Sequence, residues 1–505
     1  MHERAERVLS AKRSELVHNS AARYQKRGVP TATARTQSLS SFPKRNRVRS
    51  LASPMASVAK SERTAPHEGS RIRVTHHRGK VGRTPLTNKG VQMIDWNKRE
   101  YFAALDWASD HHDVVVLDRQ GKLLASFSFA HTGEGWGELR AKVAAYPQLA
   151  IAVETNQGAA VQQLIEARLE VYPVNPKSAQ RYRERQAPSG VKDDQLDAWS
   201  LADALRLDGH GWRPLLPEDP LIEQLRLMCR DEIALIEQRT ALVNQLRQAL
   251  HEYYPAALEA FDDWTKDYTW RFLESFPTPD KLQSAGKRKW QKFLHTHKLW
   301  RPDTAPKRLE IFARAAAFRG SVAQTAAKSL LAVSCARVLL TLERQLLTYR
   351  AAIEALFGQH PDHDLFGSLP GAGPKLAPRL LAEMGDNRDR FAAAQSLQCH
   401  AGTAPITIQS GQIRRHRLRH ACDLTLRSTV HQWADHSRKT CPWAQTYYRA
   451  HRAKGQSHAC ALRCLGQRWL KILWKMWQTR SRYDEALHTR NQTKHGSWVL
   501  HFSPA

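Results

Sequence analysis

At 505 residues the chain exceeds one ordinary domain, and roughly three are expected. An apolar fraction of 42% suffices for packed cores, and no apolar run approaches the ~20 residues of a membrane span, which argues against a membrane-anchored protein. A formal charge of +29 points to a polyanionic partner, with nucleic acid the default because counterion release from phosphates supplies most non-specific affinity.

Residues 1–92 carry 20 Lys and Arg against 5 acids, so about half of the net charge sits in this arm. Ser, Thr, Pro and Gly are frequent and no helix or strand period persists, which predicts a disordered basic arm. It is either a nucleic-acid-binding tail or translated upstream sequence, with Met93 as the alternative start.

From residue 101 the pattern turns α/β. "YFAALDW", "DVVVLD" and "LLASFSF" predict three strands, the last two joined by "DRQGK". A helix through "WGELRAKVAAY", a strand "LAIAVE", a helix "GAAVQQLIEAR", a strand "LEVYPVN" and a helix opening at Pro176 follow. The order β-β-β-α-β-α-β-α is that of ribonuclease-H-like domains, and it predicts one over residues 100–210.

Asp106 and Glu154 end adjacent apolar runs, where open α/β sheets place ligands. Asp194 and Asp197 lie three apart in "GVKDDQLDAWSLADAL" and share one helix face, with Asp193 as a competing register. Four clustered carboxylates repel unless a cation compensates them. Their hard oxygens would select Mg²⁺ or Mn²⁺ for work on a phosphodiester. Asp110, Asp113 and Asp118 read as turn residues.

Residues 220–360 read as helical. Ile222, Leu225, Cys229, Ile236, Val243, Leu246 and Leu250 step by threes and fours, a coiled-coil seam interrupted by Glu232 and Arg239. A second helix, Val322 to Phe357, carries Leu330, Val333, Leu340, Leu347 and Ile353. The pair predicts an antiparallel hairpin or a dimerisation arm, with residues 255–310, rich in Trp, Lys and Pro, as an insertion.

A third region, 362–490, begins with "LFGSLPGAGPKLAPRLLAEMGD". Gly371 and Gly373 there flank a turn between apolar helices, as in helix-hairpin-helix modules. With Lys375 they could meet a phosphate at the start of the second helix, or simply form a glycine turn. The arginine-rich stretch after it centres on Ser410-Gly411. Trp443, Trp469, Trp474 and Trp477 fall at helical spacing and read as core, and residues 491–505 as a tail. Seven irregularly spaced cysteines argue for a reducing cytosol, and Cys460 and Cys464 near His458 lack the paired spacing of a zinc site.

"ALDWASDHHDVVVLD", "IAVETNQGAAVQQLIEARLEVYPVNP" and "GVKDDQLDAWSLADALR" together resemble the DEDD-type N-terminal domain of insertion-sequence 110 family transposases. "LPGAGPKLAPRLLAEMGD" followed by "HAGTAPITIQSGQIRRHR" resembles that family's C-terminal domain, so the likeness spans about 100–490. It implies a RuvC-like domain, a coiled-coil arm and a mainly helical serine-bearing domain, in an oligomeric (dimeric or tetrameric) bacterial recombinase acting on nucleoid DNA. An RNA from the element's own non-coding end would pair with donor and target DNA. Carried over, the metal-binding tetrad falls on Asp106, Glu154, Asp194 and Asp197 and the nucleophile on Ser410. Arg414, Arg415, Arg417 and Arg419 would contact phosphates. The stretch "LRHACDLTLRS" departs from the family, where many members have a Gly-Asn pair. Two other functions fit the residues: a junction-resolving nuclease using the tetrad without a covalent step, and a non-catalytic nucleic-acid-binding protein of a decayed element.

Overall fold

The computed structural model describes residues 95–501 except 157, 187–193 and 216–217; the basic arm 1–92, the competing Asp193 and the side chain of Asp194 lie outside the described residues. The first region builds a five-stranded sheet from β1 (Tyr101–Trp107), β2 (His111–Asp118), β3 (Leu123–Ala130), β4 (Ala150–Val153) and β5 (Glu170–Pro173), in the order β3-β2-β1-β4-β5. The β1–β2 and β2–β3 pairs are antiparallel, and β1–β4 and β4–β5 are parallel. Mixed pairing of this kind fits a ribonuclease-H-like arrangement in its broad outline.

Period-two alternation sends side chains to two covered faces. Ala103, Leu105, Val114, Val116, Ile151 and Val153 pack under α1 (Gly133–Val143) and α2 (Ala159–Glu166). Phe102, Ala104, Val115, Leu117, Ala150 and Ala152 pack under α3 (Pro176–Gln186) and α4 (Asp194–Asp208), which bring Ala179, Ala198, Leu201 and Leu205. Burial on both faces is why β1, β2 and β4 read as continuous apolar runs, whereas the edge strand β3 alternates. Thr132 accepts a hydrogen bond from Gly135 N and starts α1, and Pro176 opens α3.

Two long helices, α5 (Pro220–Tyr253) and α10 (Val322–Gln359), run antiparallel. Glu232 meets Arg350, Arg239 meets Glu343, Gln245 meets Cys335 and Glu252 meets Lys328, so one climbs as the other descends. The seam on α5 lies where its spacing predicts, with Ile222, Leu225, Cys229, Val243, Leu246 and Leu250 buried; Ile236 is only half-buried. Glu232 and Arg239, which interrupt it, anchor an ionic chain: Arg239–Glu343 at 2.8 Å, Glu343–Arg350 at 3.2 Å, Arg350–Glu232 at 3.0 Å and Glu232–Arg379 at 2.7 Å.

On α10 the buried line is Ala332, Cys335, Ala336, Leu339, Leu346 and Ile353. Leu330 and Leu347, expected in the seam, are exposed instead. The contact runs through Ala332 and Ala336 as well as Leu339 and Leu346, and leaves Leu330 and Leu347 off its face. Among the described residues one helix, α10, is long and apolar enough to cross a membrane by length and composition, although charged residues break its apolar run. Its Lys328, Glu343 and Arg350 are nevertheless committed to ion pairs with α5.

Between the long helices, α6 (Pro255–Ala260), α7 (Asp267–Ser275), α8 (Pro279–Thr296) and α9 (Ala305–Ala313) form a lobe around Phe261, Trp264, Trp270, Phe272, Phe293 and Phe312. The lower parts of α5 and α10 join a separate core with α11 (His363–Gly367), α12 (Gly373–Met384), α13 (Ala394–His400), α14 (Leu424–Thr440), α15 (Pro442–Ala453) and α16 (His458–Thr479), and α17 (Glu485–Lys494) touches it through His488 against Trp443. Trp443, Trp469 and Trp477 are buried there and Trp474 partly so. The indole N–H of Trp469 donates to Ser437 Oγ at 2.8 Å and that of Trp474 to the Phe391 carbonyl at 2.9 Å. All seven cysteines are free.

Two histidines give the fold a defined acid sensitivity. Burial, helped by His131, holds His112 at about 4, and burial, helped by Arg468, holds His488 at about 4. A histidine neutral in the fold but titrating near its ordinary value when unfolded adds stability that is complete above about pH 6.5 and is lost as pH falls toward the folded value. Thermal unfolding midpoints should therefore fall across that window, and His488→Gln should flatten the slope. An unchanged slope would contradict the account.

Candidate active site

The parallel pairing of β1 and β4 sets Leu105 beside Val153, and the next residues along each strand direction are Asp106 and Glu154. Alternation puts Asp106 on the face of Phe102 and Ala104, the face covered by α4. From α4, Asp197 is 5% exposed, one residue before the sheet-facing Ala198. Three of the four predicted acids thus converge at the carboxyl ends of the central strands. Asp194 opens α4 one turn earlier.

A cation already stands among them. Arg183, on α3, places Nη1 2.6 Å from Asp197 Oδ2. Burial works against its charge, but the Asp197 hydrogen bond and the charges of Asp197, Glu154 and Asp106 raise its pKa above the ordinary arginine value. Burial lifts the Glu154 carboxyl above its ordinary range; Arg183 opposes the rise and Asp197 adds to it. Among the described residues no group of three His, Cys, Asp or Glu side chains is arranged to hold a metal ion. The all-oxygen donors nevertheless suit a hard divalent cation, with Arg183 marking where positive charge is favoured.

The sequence reading missed both Arg183 and Asp113. Asp113 is not a turn residue: it lies within β2, directly opposite Asp106, and is 9% exposed. Cross-strand partners share a face, so it adds a further acid beside Asp106, held by a hydrogen bond from Ser128. Its apolar surroundings in "DVVVLD" were the available signal.

Ser410 ends β6 (Ile406–Ser410), which pairs antiparallel with β7 (Ile413–Arg417). Gly411, with φ +55°, is the first of two loop residues joining Ser410 to Ile413, and a tight hairpin requires this backbone conformation there. A Cβ at Gly411 would meet no atom within 4 Å, so the backbone angle selects glycine. Ser410 and nearly all of the hairpin are exposed. Register and alternation place Ser410, Ile408, Arg415 and Arg417 on one face and Gln409, Arg414, Thr407 and His416 on the other. His416, whose Nδ1 lies 3.2 Å from Thr407 Oγ1, is therefore on the wrong face to be the serine's base. Arg419 lies beyond the strand, half-buried.

A family model described as a transposase, of the DEDD type of IS110, matches residues 103–255, and one described as a transposase of the IS116/IS110/IS902 family matches 363–449. The chain is 34% identical over 403 residues to the mini-circle protein assigned as transposase for IS117 in Streptomyces coelicolor, covering 76% of this chain and 95% of that one. The chain belongs to the IS110 family of transposases. It is also 29% identical over 313 residues to the 42 kDa protein of insertion element IS900 from Mycobacterium paratuberculosis, covering 59% of this chain and 74% of that one.

In this transposase Gly371 has a packing explanation. Its φ is +75°, and a Cβ would fall 2.6 Å from Ser437 N, so the turn lies directly on the α14 backbone. Gly371→Ala should cost about 1–3 kcal/mol by overpacking, read as a lower denaturation midpoint. A variant of unchanged stability would return Gly371 to the ligand-contact reading. Gly373, φ +57° with open space around it, and the exposed Lys375 remain accessible at the start of α12. Where the family's Gly-Asn pair is missing, Asp423 caps α14, accepting from Leu426 N at 2.7 Å and facing Arg230 at 3.4 Å.

Proposed function

We propose that this transposase cuts and rejoins DNA through a composite site, with Ser410 as nucleophile and the Asp106, Glu154, Asp194 and Asp197 cluster as its electrostatic partner. The observation that carries the reading is the placement of Ser410 at the exposed tip of a hairpin whose same face bears Arg415 and Arg417. Those guanidiniums can hold a DNA phosphate, with Arg414, Arg419, Gly373 and Lys375 holding the flanking backbone. Attack by Ser410 Oγ forms an O–P bond and breaks the bond from phosphorus to a sugar oxygen, which ends with the serine's proton. Rejoining is the reverse, with a sugar hydroxyl of the second strand displacing the serine, so no bond energy is lost to water.

A divalent cation, Mg²⁺ or Mn²⁺, held by the four acids would supply charge stabilisation at the reacting phosphate. Asp106, Glu154 and Asp197 gather the negative charge that attracts such an ion, and Arg183 holds them together until it arrives. An isolated two-stranded hairpin is marginal alone, so DNA or a neighbouring subunit completes it. Exposed Val322, Leu330, Val338 and Leu347 on α10 favour a homo-oligomer (dimer or tetramer). Donor and target DNA are the substrates in this reading, and an element-encoded RNA supplies target choice.

Strand transfer between element ends and a target, assayed with Asp106→Asn and Glu154→Gln, tests the proposal. Both variants should lose at least about a hundredfold, and chelation of divalent ions should do the same. Full activity in both variants would remove the acids from the mechanism and leave Ser410 to act without them.

A further inference from the structure

Residues 256–313, nearly all of the lobe between the long helices, lie outside both stretches matched by the family models. Its surface combines two features that the strand-transfer site does not use. From Lys281 to Arg301 there are seven Lys and Arg and no acid. None of the seven is in an ion pair with a carboxylate among the described residues, although Asp280 just before them holds Arg319. Beside this run lies a cleft of about 520 Å³ lined by Lys287, Trp290, Gln291, Trp300, Leu309 and Glu310 among others.

The cleft is built, rather than being a gap between helices. Trp290 is fixed, its indole N–H donating to the Leu282 carbonyl at 2.7 Å. Trp300 is 38% exposed, unusual for so large an apolar ring, and it is braced by His295 stacked on it at 4.4 Å with 17° between planes. Gly286, φ +73°, breaks α8 just before Lys287, turning the basic half of the helix onto its own direction. A rigid, partly exposed aromatic ring, a polar edge and unpaired cations are the three parts of a site for an unstacked nucleotide.

We propose that this lobe binds single-stranded nucleic acid, taking one unpaired base into the cleft against Trp300 while Lys287, Lys289 and Lys292 hold the adjoining phosphates. Gln291 and Glu310 present an amide and a carboxylate to the base edge, and the carboxylate favours bases that offer N–H donors. Duplex DNA fits poorly, because its bases are stacked out of reach. The single strand is RNA or DNA, since both offer the same base and phosphate chemistry. Ser410 has no part in this binding, so the lobe's site stands or falls separately from the strand-transfer reading.

Photo-cross-linking of the full chain, carrying Ser410→Ala, to thiouracil-substituted single strands of about 12 nucleotides tests this, with RNA, DNA and duplex arms compared. Adducts should map to residues 287–313 with one or both single strands and not with duplex; the productive arm identifies the source. Trp300→Ala should lower that adduct by at least about tenfold, and Trp300→Phe should restore it, since a phenyl ring still stacks. Replacing Lys287, Lys289 and Lys292 by Gln should leave the lobe folded and reduce the salt dependence of binding by about 0.7 per lysine. Absence of adducts in this segment, equal adducts with duplex, or indifference to Trp300→Ala would overturn the proposal.

Discussion

Ser410→Ala lowers DNA strand transfer by at least about a thousandfold, because the only atom removed is the one proposed to bond to phosphorus. The residue is exposed at a hairpin tip, so fold stability should not change. Binding to element ends should also hold, since Arg414, Arg415 and Arg417 remain. The pattern to look for is therefore intact binding with lost chemistry. A transposase that still cleaves normally with alanine at 410 would instead use water, which is the junction-nuclease reading, and the acid cluster alone would then carry catalysis. Gly411→Ala offers a graded control: it forces a Cβ onto a left-handed backbone at the loop, costing about 1 kcal/mol, and should weaken transfer without abolishing it.

Glu232→Ala carries the largest expected stability effect, a loss of about 3–5 kcal/mol. The carboxylate is 2% exposed and joins Arg379 from α12 to Arg350 from α10. Removing it leaves the Arg379 guanidinium, 7% exposed, without its carboxylate, while Arg350 keeps only Glu343. Replacing Glu232 and Arg379 together by methionine should recover most of the loss, since no uncompensated charge stays buried. Chemical denaturation of the three proteins checks this, and equal midpoints for the single variant and the parent would show that the pair is dispensable. Because this chain of ions ties the long-helix pair to the C-terminal core, the single variant should also lose activity through misplacement rather than chemistry.

Much of the architecture was legible because local patterns and tertiary burial agree. The central strands β1, β2 and β4 were visible as apolar runs since both faces of the sheet are covered there, and the carboxylates ending β1 and β4 followed from that. Where burial is carried by small or charged residues, pattern reading went astray. Leu330 and Leu347 looked like seam residues, but the contact runs through Ala332, Ala336, Leu339 and Leu346, and the apparent defects Glu232 and Arg239 are ion-pair anchors. Arg183 was invisible because its role depends on α3 crossing the sheet near Asp197, information no short window contains. Asp113 was obscured by two neighbouring aspartates that do lie near turns. The side assigned to His416 needed the strand register, which only the hairpin geometry supplies.

The most direct test of the composite site is capture of the protein–DNA adduct. The full-length protein, incubated with an element end cut on a suicide substrate, should yield a phosphodiester-linked peptide containing Ser410, identified by mass spectrometry. That adduct should vanish in Ser410→Ala and fall sharply in Glu154→Gln. Efficient cleavage with no covalent adduct, or an adduct on any other residue, would contradict the assignment.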